Sequence, residues 1–203
     1  MAKWVSPILT DIRKQIGKSI VFSVWKGRGY FRSYVIPANP RTLKQRANRD
    51  VMKQLVKRWQ EVINTDDKKM AWNNVGLIEG NITGYNVFVK YGRKSQISCP
   101  GSASVNSTIT ITYTLGLPAS IAMIVAQKPD GTLEIIAEPG TLEAGENKTI
   151  EYTVTSAGTY YFFIADSRVL VSGDTAPKDY QCITKWSRDY TNGVAKEAKC
   201  EVS

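Results

Sequence analysis

Apolar and polar positions along the chain first alternate and then change period. Ile20, Phe22 and Val24 alternate with Val21, Ser23 and Trp25, and a second alternation runs from Tyr30 to Ile36. A period of two is that of a strand, because successive side chains leave opposite faces of a sheet. Lys26-Gly27-Arg28-Gly29 separates the two runs, and glycine takes the positive φ angles that a tight turn needs. Residues 18–36 are therefore expected to form a β-hairpin. Ahead of it, Trp4, Val5, Ile8, Leu9, Ile12 and Ile16 fall near helical spacing. That pattern fits a short helix or an arm that docks on a neighbour.

Past Pro37 and Pro40 the period lengthens. Leu43, Ala47, Val51, Leu55, Trp59 and Val62 recur every four or three residues, which is the spacing of one helix face. Thr42, with Gln45 three residues on, has the form of a capping box. The opposite face carries Arg46, Arg49, Lys53 and Lys57, with Asp50 beside them. Solvated helix faces ordinarily mix their signs, so this one reads as a partner surface. A second helix is expected after Thr65-Asp66-Asp67, ending at Gly76 or Gly80. The aromatic run 85–91 fits a short helix or a strand, and 92–96 reads as a linker. Phe22, Leu43, Val51, Leu55, Trp59 and Trp72 are the expected core of this half.

From residue 98 the pattern shortens again. Stretches 104–115, 120–127, 132–138, 148–155, 159–165 and 168–172 read as strands divided by Pro/Gly turns, the signature of a β-sandwich. Thr108, Thr110, Thr112 and Thr114 alternate with Ile109, Ile111, Tyr113 and Leu115, giving one wet and one core face. The tail 177–203 adds strand around an Asn192-Gly193 turn. Cys182 and Cys200 are expected on paired strands.

Composition sharpens this division. Hydrophobic residues make up 42% and charged residues 22% of the 203, enough for a buried core. Residues 1–97 hold 19 Lys/Arg against 6 Asp/Glu, and residues 98–203 hold 8 against 12. The net charge of +9 is thus +13 in the first part and −4 in the second. Two domains are expected, 1–95 and 96–203, with different partners. An excess of cations suits phosphate backbones or an acidic protein surface.

Candidate chemistry is sparse. The chain has no histidine, which removes the usual general base, the common zinc ligand and every Ser-His or Cys-His pairing. Cys99, Cys182 and Cys200 lack metal-site spacing and leave open one disulfide with a free thiol or three buried thiols. Glu134, Glu138, Glu143, Glu146 and Glu151 read as a solvated rim rather than a glycosidase pair. Asp130 and Asp166 are the weakest candidates, for calcium. An enzyme is not expected, and no cofactor or metal is implied. Asp11, Arg13 and Lys14 interrupt the first apolar stretch, so a signal peptide is not expected. No run of 18 apolar residues is present, and no membrane-spanning helix is expected.

Taken together, Arg32, Asn39, Pro40, Thr42, Gln45, Arg49, Trp59, Ala71, Trp72, Asn73, Gly84, Tyr85, Asn86 and Phe88 form an ordered pattern. It runs from hairpin to Asn-Pro-x-Thr-x-x-Gln helix, Trp, Ala-Trp-Asn and Gly-Tyr-Asn-x-Phe. It resembles a family of small proteins from tailed-phage and prophage gene clusters, over about residues 15–92. The two-helix part is also loosely similar to an HMG box. The expected fold is an α+β N-terminal domain, a β-hairpin plus two or three helices, followed by an all-β Ig-like sandwich. The resemblance implies a virion structural protein, capsid-associated, decorating or part of a tail, that works as one of many copies. Its partners would be other virion proteins, copies of itself or nucleic acid, with no membrane. The alternatives are an architectural DNA-binding protein in the host cytoplasm and a filament subunit outside the cell. In each case the candidate contact residues are Lys26, Arg28, Arg46, Arg49, Lys53 and Lys57.

Overall fold

The computed structural model of the protein describes residues 2–3, 14–36, 38–169 and 182–203. It divides into two compact units, 1–40 and 41–203. The first is a four-stranded sheet of β1 (Ala2–Lys3), β2 (Lys14–Ile16), β3 (Ile20–Trp25) and β4 (Arg28–Ser33), in the order β1-β4-β3-β2. Its hairpin is tighter than the four-residue turn expected. Trp25 pairs with Arg28, leaving Lys26 and Gly27 as a two-residue turn, both at positive φ, 50° and 74°. Two consecutive left-handed residues match the right-handed twist of the flanking strands. Residues 14–16 are strand rather than helix, and most of the apolar pattern expected at the N-terminus lies outside the described residues.

The second unit opens with three helices, α1 (Leu43–Val62), α2 (Asp66–Ile78) and α3 (Gly84–Gly92). Thr42 and Gln45 close the expected capping box, so two of the orphan N–H groups of α1 find acceptors. Thr65 and Thr83 cap the other two helices. The 85–91 run is thus helical. Gly76 does not end α2; it lies inside the helix, which continues to Ile78.

Among the described residues eleven strands follow: β5 (Gln96–Ser98), β6 (Ser102–Ala103), β7 (Thr108–Thr114), β8 (Ala122–Gln127), β9 (Leu133–Ala137), β10 (Lys148–Thr153), β11 (Gly158–Asp166), β12 (Cys182–Thr184), β13 (Trp186–Asp189), β14 (Val194–Glu197) and β15 (Lys199–Val202). One sheet has the order β10-β7-β5. The other runs β6-β15-β11-β8-β9, with β12 also on β11, and β13-β14 form a separate hairpin. Ile109, Ile111 and Tyr113 from the first sheet share a buried cluster with Ile124, Tyr160, Phe162 and Ile164 from the second. Two sheets closing on one core make a β-sandwich. The Thr/Ile alternation of β7 is buried as its pattern requires. The strand expected at 168–172 is absent at Arg168 and Val169, which lie in the turn after β11; residues 170–172 are outside the described residues.

The boundary expected at residue 95 is not where the units part. Val51, Leu55, Trp72, Phe88 and Tyr91 of the helices belong to the same buried cluster as Ile97, Ile111, Phe162 and Ile183. The supposed linker is a packed joint: Gly92 and Ser95 are buried. A Cβ on Gly92 would lie 2.6 Å from Leu55 Cδ2 and 3.0 Å from the Ile183 carbonyl oxygen. The composition shift at residue 98 marks the change from helix to strand. It does not mark a gap between cores, because the apolar stripes of the helices are completed by strand residues.

The expected N-terminal core also divides. Val51, Leu55 and Trp72 are buried, Trp59 is half-buried at the rim, and Leu43 is 45% exposed. Phe22 is in the first unit, half-buried against Phe31 with ring centroids 6.2 Å apart. Cys182 and Cys200 are not on mutually paired strands. β12 and β15 lie end to end along one edge of β11, opposite Ala165 and Tyr160 respectively. Cys99 and Cys200 are free thiols, and burial pushes the Cys99 thiol up to about 12, which leaves it inert as a nucleophile at neutral pH.

Candidate binding surfaces

The 20-residue helix α1 turns its apolar stripe inward, with Ala47, Val51, Leu55 and Val62 buried. Arg46, Arg49, Lys53 and Lys57 are all exposed, within an arc of about 80° at 100° per residue. The acid beside them is engaged elsewhere. Asp50 Oδ2 accepts the Ala195 backbone N–H at 2.9 Å and the Gln54 side-chain amide at 3.2 Å, and that amide also donates to the Ala195 carbonyl at 3.3 Å. Asp50 therefore fixes the β13-β14 hairpin to α1. Toward the end of the helix Glu61 accepts from Arg58 at 2.9 Å and lies 3.9 Å from Lys57. Lys57, the last cation of the row, thus has Glu61 beside it.

Lys26 and Arg28, the other sequence candidates, lie at the hairpin tip of the first unit and are exposed. Trp25 is 68% exposed, and the Lys26 ammonium sits 4.9 Å from the centre of its ring. A flat aromatic under a cation offers one stacking face and one charge. The structure thus gathers the four α1 candidates on one face and keeps the two tip residues together on another unit.

A second charged constellation was not visible in the sequence. Glu79, at the end of α2, receives Lys90 Nζ at 2.7 Å and Arg168 Nη1 at 2.7 Å. Arg168 turns its other edge to the fully buried Asp166, with Nη2 to Oδ2 at 2.7 Å and Nε to Oδ1 at 3.0 Å. Lys90, the Tyr91 hydroxyl and Arg168 hold the Glu79 carboxyl down at about 2. Asp166 pulls the Arg168 guanidinium further above its usual range. This chain of charges ties α2 and α3 to β11, across 89 residues of sequence. Separation on that scale leaves no local motif. Asp166 is thereby committed to Arg168 and not arranged as a cation site.

The remaining acidic candidates fall in turns and strand edges. Asp130 accepts the backbone N–H and the hydroxyl of Thr132. Glu134 accepts from the Tyr152 hydroxyl at 2.7 Å and pairs with Lys128 at 3.2 Å. Glu143 pairs with Lys148 at 2.7 Å. Among the described residues no three His, Cys, Asp or Glu side chains group as a metal site, and no helix is long and apolar enough to cross a membrane.

No protein-family model matches the chain, and no curated protein matches it either. Among solved structures it is similar to the PKD domain of an M14-like peptidase from a Thermoplasmatales archaeon. The identity is 19%, over 36% of this chain and 75% of that one, with a TM-score of 0.26. It is also similar to a CARDB domain from Pyrococcus furiosus, solved in complex with di-metal ions. There the identity is 15%, over 54% of this chain and 86% of that one, with a TM-score of 0.25. Scores this low carry no functional weight.

Proposed function

We propose that the protein is a non-catalytic structural component of a phage-like virion, present in many copies. It grips an acidic partner with the basic face of α1 and displays an Ig-like sandwich. The observation that supports this most directly is the exposed row Arg46, Arg49, Lys53 and Lys57. The neighbouring acid, Asp50, is taken up by the Ala195 backbone. A row of one sign on a helix that already buries its apolar side raises self-repulsion, which an acidic partner relieves. The pattern over residues 15–92 that resembles phage and prophage proteins supports the setting.

Replacing Arg46, Arg49, Lys53 and Lys57 together by Glu tests the grip. All four are exposed, so the variant should keep its circular dichroism spectrum and lose co-sedimentation with particles from the source. Incorporation equal to wild type would remove the α1 face from the proposal. If the wild-type chain never sediments with particles but binds duplex DNA, with an affinity that falls steeply with salt, the architectural DNA-binding reading replaces it. The exposed Trp25, Lys26 and Arg28 tip is the feature that favours this second reading.

A further inference from the structure

Within the 41–203 unit a cleft of 870 Å³ opens beside the C-terminal end of α3. That volume lies in the upper part of the range for small-molecule sites, about 300–1,000 Å³. Its wall is cationic: Lys90, Arg93, Lys94 and Arg188 line it, and Glu146 is the one acid among the described lining residues. Lys90 is held by Glu79. Arg93, Lys94 and Arg188 have no carboxylate within ion-pair distance among the described residues.

Part of this charge has a local explanation. Lys90 lies in the last turn of α3, and Arg93 and Lys94 follow it directly, where cations suit the negative end of the helix dipole. Arg188 does not share it. It comes from β13, nearly a hundred residues later, and converges on the same space. Its Nε is buried and has no acceptor among the described residues. A buried charged donor without an acceptor is costly, and three unpaired cations around one concave surface repel one another. That repulsion falls when an anion enters. The rest of the lining suits a polar guest, since Asn48, Asn86 and Gln96 present carboxamides that both donate and accept.

We propose that this cleft binds a small polyanion, a molecule carrying two or more phosphate or carboxylate groups. Arg188 and Arg93 supply planar forks that match either group bidentately, and Lys94 supplies a point charge. Glu146 opposes the anion from the loop after Gly145 and limits how tightly it is held. The site is separate from the α1 face, so this inference does not rest on the proposed role in a particle.

Isothermal titration of the full chain with tripolyphosphate, and separately with citrate, tests it at about 50 mM salt. One site per chain is expected with at least one of the two anions, and whichever binds more tightly identifies the preferred group. Arg188→Gln should weaken binding at least about tenfold, the cost of losing one charged fork. Glu146→Gln should tighten it by a few-fold. Replacing the four α1 cations by Glu should leave it unchanged. If Arg188→Gln does not fold by circular dichroism, Arg188→Lys serves instead; it keeps the charge but loses the fork, and should bind more weakly than wild type. Absence of binding to both anions overturns the proposal. So does binding that the Arg188 variants leave intact, or binding abolished by the α1 replacements alone.

Discussion

The four-stranded sheet of the first unit and the sandwich of the second are written in the same code and buried to different depths. Ile20–Trp25 and Thr108–Thr114 both alternate, and both form antiparallel pairs. Yet every described side chain from residue 17 to 36 is exposed or half-buried, whereas Ile109, Ile111 and Tyr113 on β7 are all but inaccessible. On β7 the burial comes from what stands opposite it. β7 faces a second sheet, and the three helices that precede it in sequence bring their apolar stripes into the same cluster. Period two makes a strand, but a second layer makes a core. Stability in this chain should therefore be concentrated in residues 41–203.

The sharpest way to break that contrast is to delete one large ring from each unit. Trp72 is fully buried, edge-on to Trp59 with centroids 5.9 Å apart and to Phe88 at 5.3 Å. Trp72→Ala should cost about 3–5 kcal/mol in urea unfolding followed by far-ultraviolet circular dichroism. Phe22→Ala, at a half-buried ring, should cost about 1 kcal/mol or less in the same measurement. Equal losses would mean that the first sheet carries a core of its own. Trp59→Ala should fall between the two, because Trp59 packs on the cluster without being enclosed by it.

The ion chain that joins helices to sandwich gives a smaller, pH-dependent effect. Glu79 has its carboxyl at about 2 in the folded chain against an ordinary 4.5. A depressed carboxyl stabilises the fold in full above pH 4.5, and that contribution is lost as pH falls from 4.5 toward 2. The Glu79 side chain is 14% exposed and its partner Lys90 45%. With solvent screening on that side, the loss should be about 2 kcal/mol rather than the full linkage value. Urea titrations at stepped pH should show it in wild type. Glu79→Gln should be less stable at neutral pH and should lack that part of the acid-side slope. An unchanged slope would show that Asp166 and Arg168 hold the joint without Glu79.

How much of this was legible in the sequence follows from how far apart the interacting residues stand. The α1 capping box is written within four residues, Thr42 to Gln45, and was legible. So were five of the six sandwich strands expected, from 104–115 to 159–165, because their pattern is local; the one expected at 168–172 is not formed at Arg168 and Val169. The latch of the Trp186–Glu197 hairpin to Asp50 was not, because 145 residues separate Asp50 from Ala195. Long separations likewise hid the role of Arg188 and, across 89 residues, the Glu79–Arg168 joint. The domain boundary misled for a related reason: charge and composition change at residue 98, but Leu55 and Phe88 complete their burial against residues beyond it. The four α1 cations were readable as a face from spacing alone. That Asp50 is drawn away from them required the fold.

The smallest effect expected is at the hairpin tip, and it probes the first unit from its most exposed point. Trp25 is 68% exposed, so little apolar area returns to water when it is removed. The Lys26 contact at 4.9 Å is worth about 0.5–1 kcal/mol when solvent surrounds it. Trp25→Ala should therefore change stability by about 1 kcal/mol at most. Its signature should be optical. Of the other tryptophans, Trp72 and Trp186 are buried, Trp59 is half-buried, and Trp4 lies outside the described residues. In a Trp4→Phe background, acrylamide quenching of the tryptophan fluorescence should come chiefly from Trp25, and Trp25→Ala should remove most of it. A stability loss above about 2 kcal/mol, outside the range for an exposed surface position, would mean that the indole is packed in solution. So would quenching that survives the substitution. Either result would end the contrast between the two units, because a tip that is exposed among the described residues would then carry core of its own.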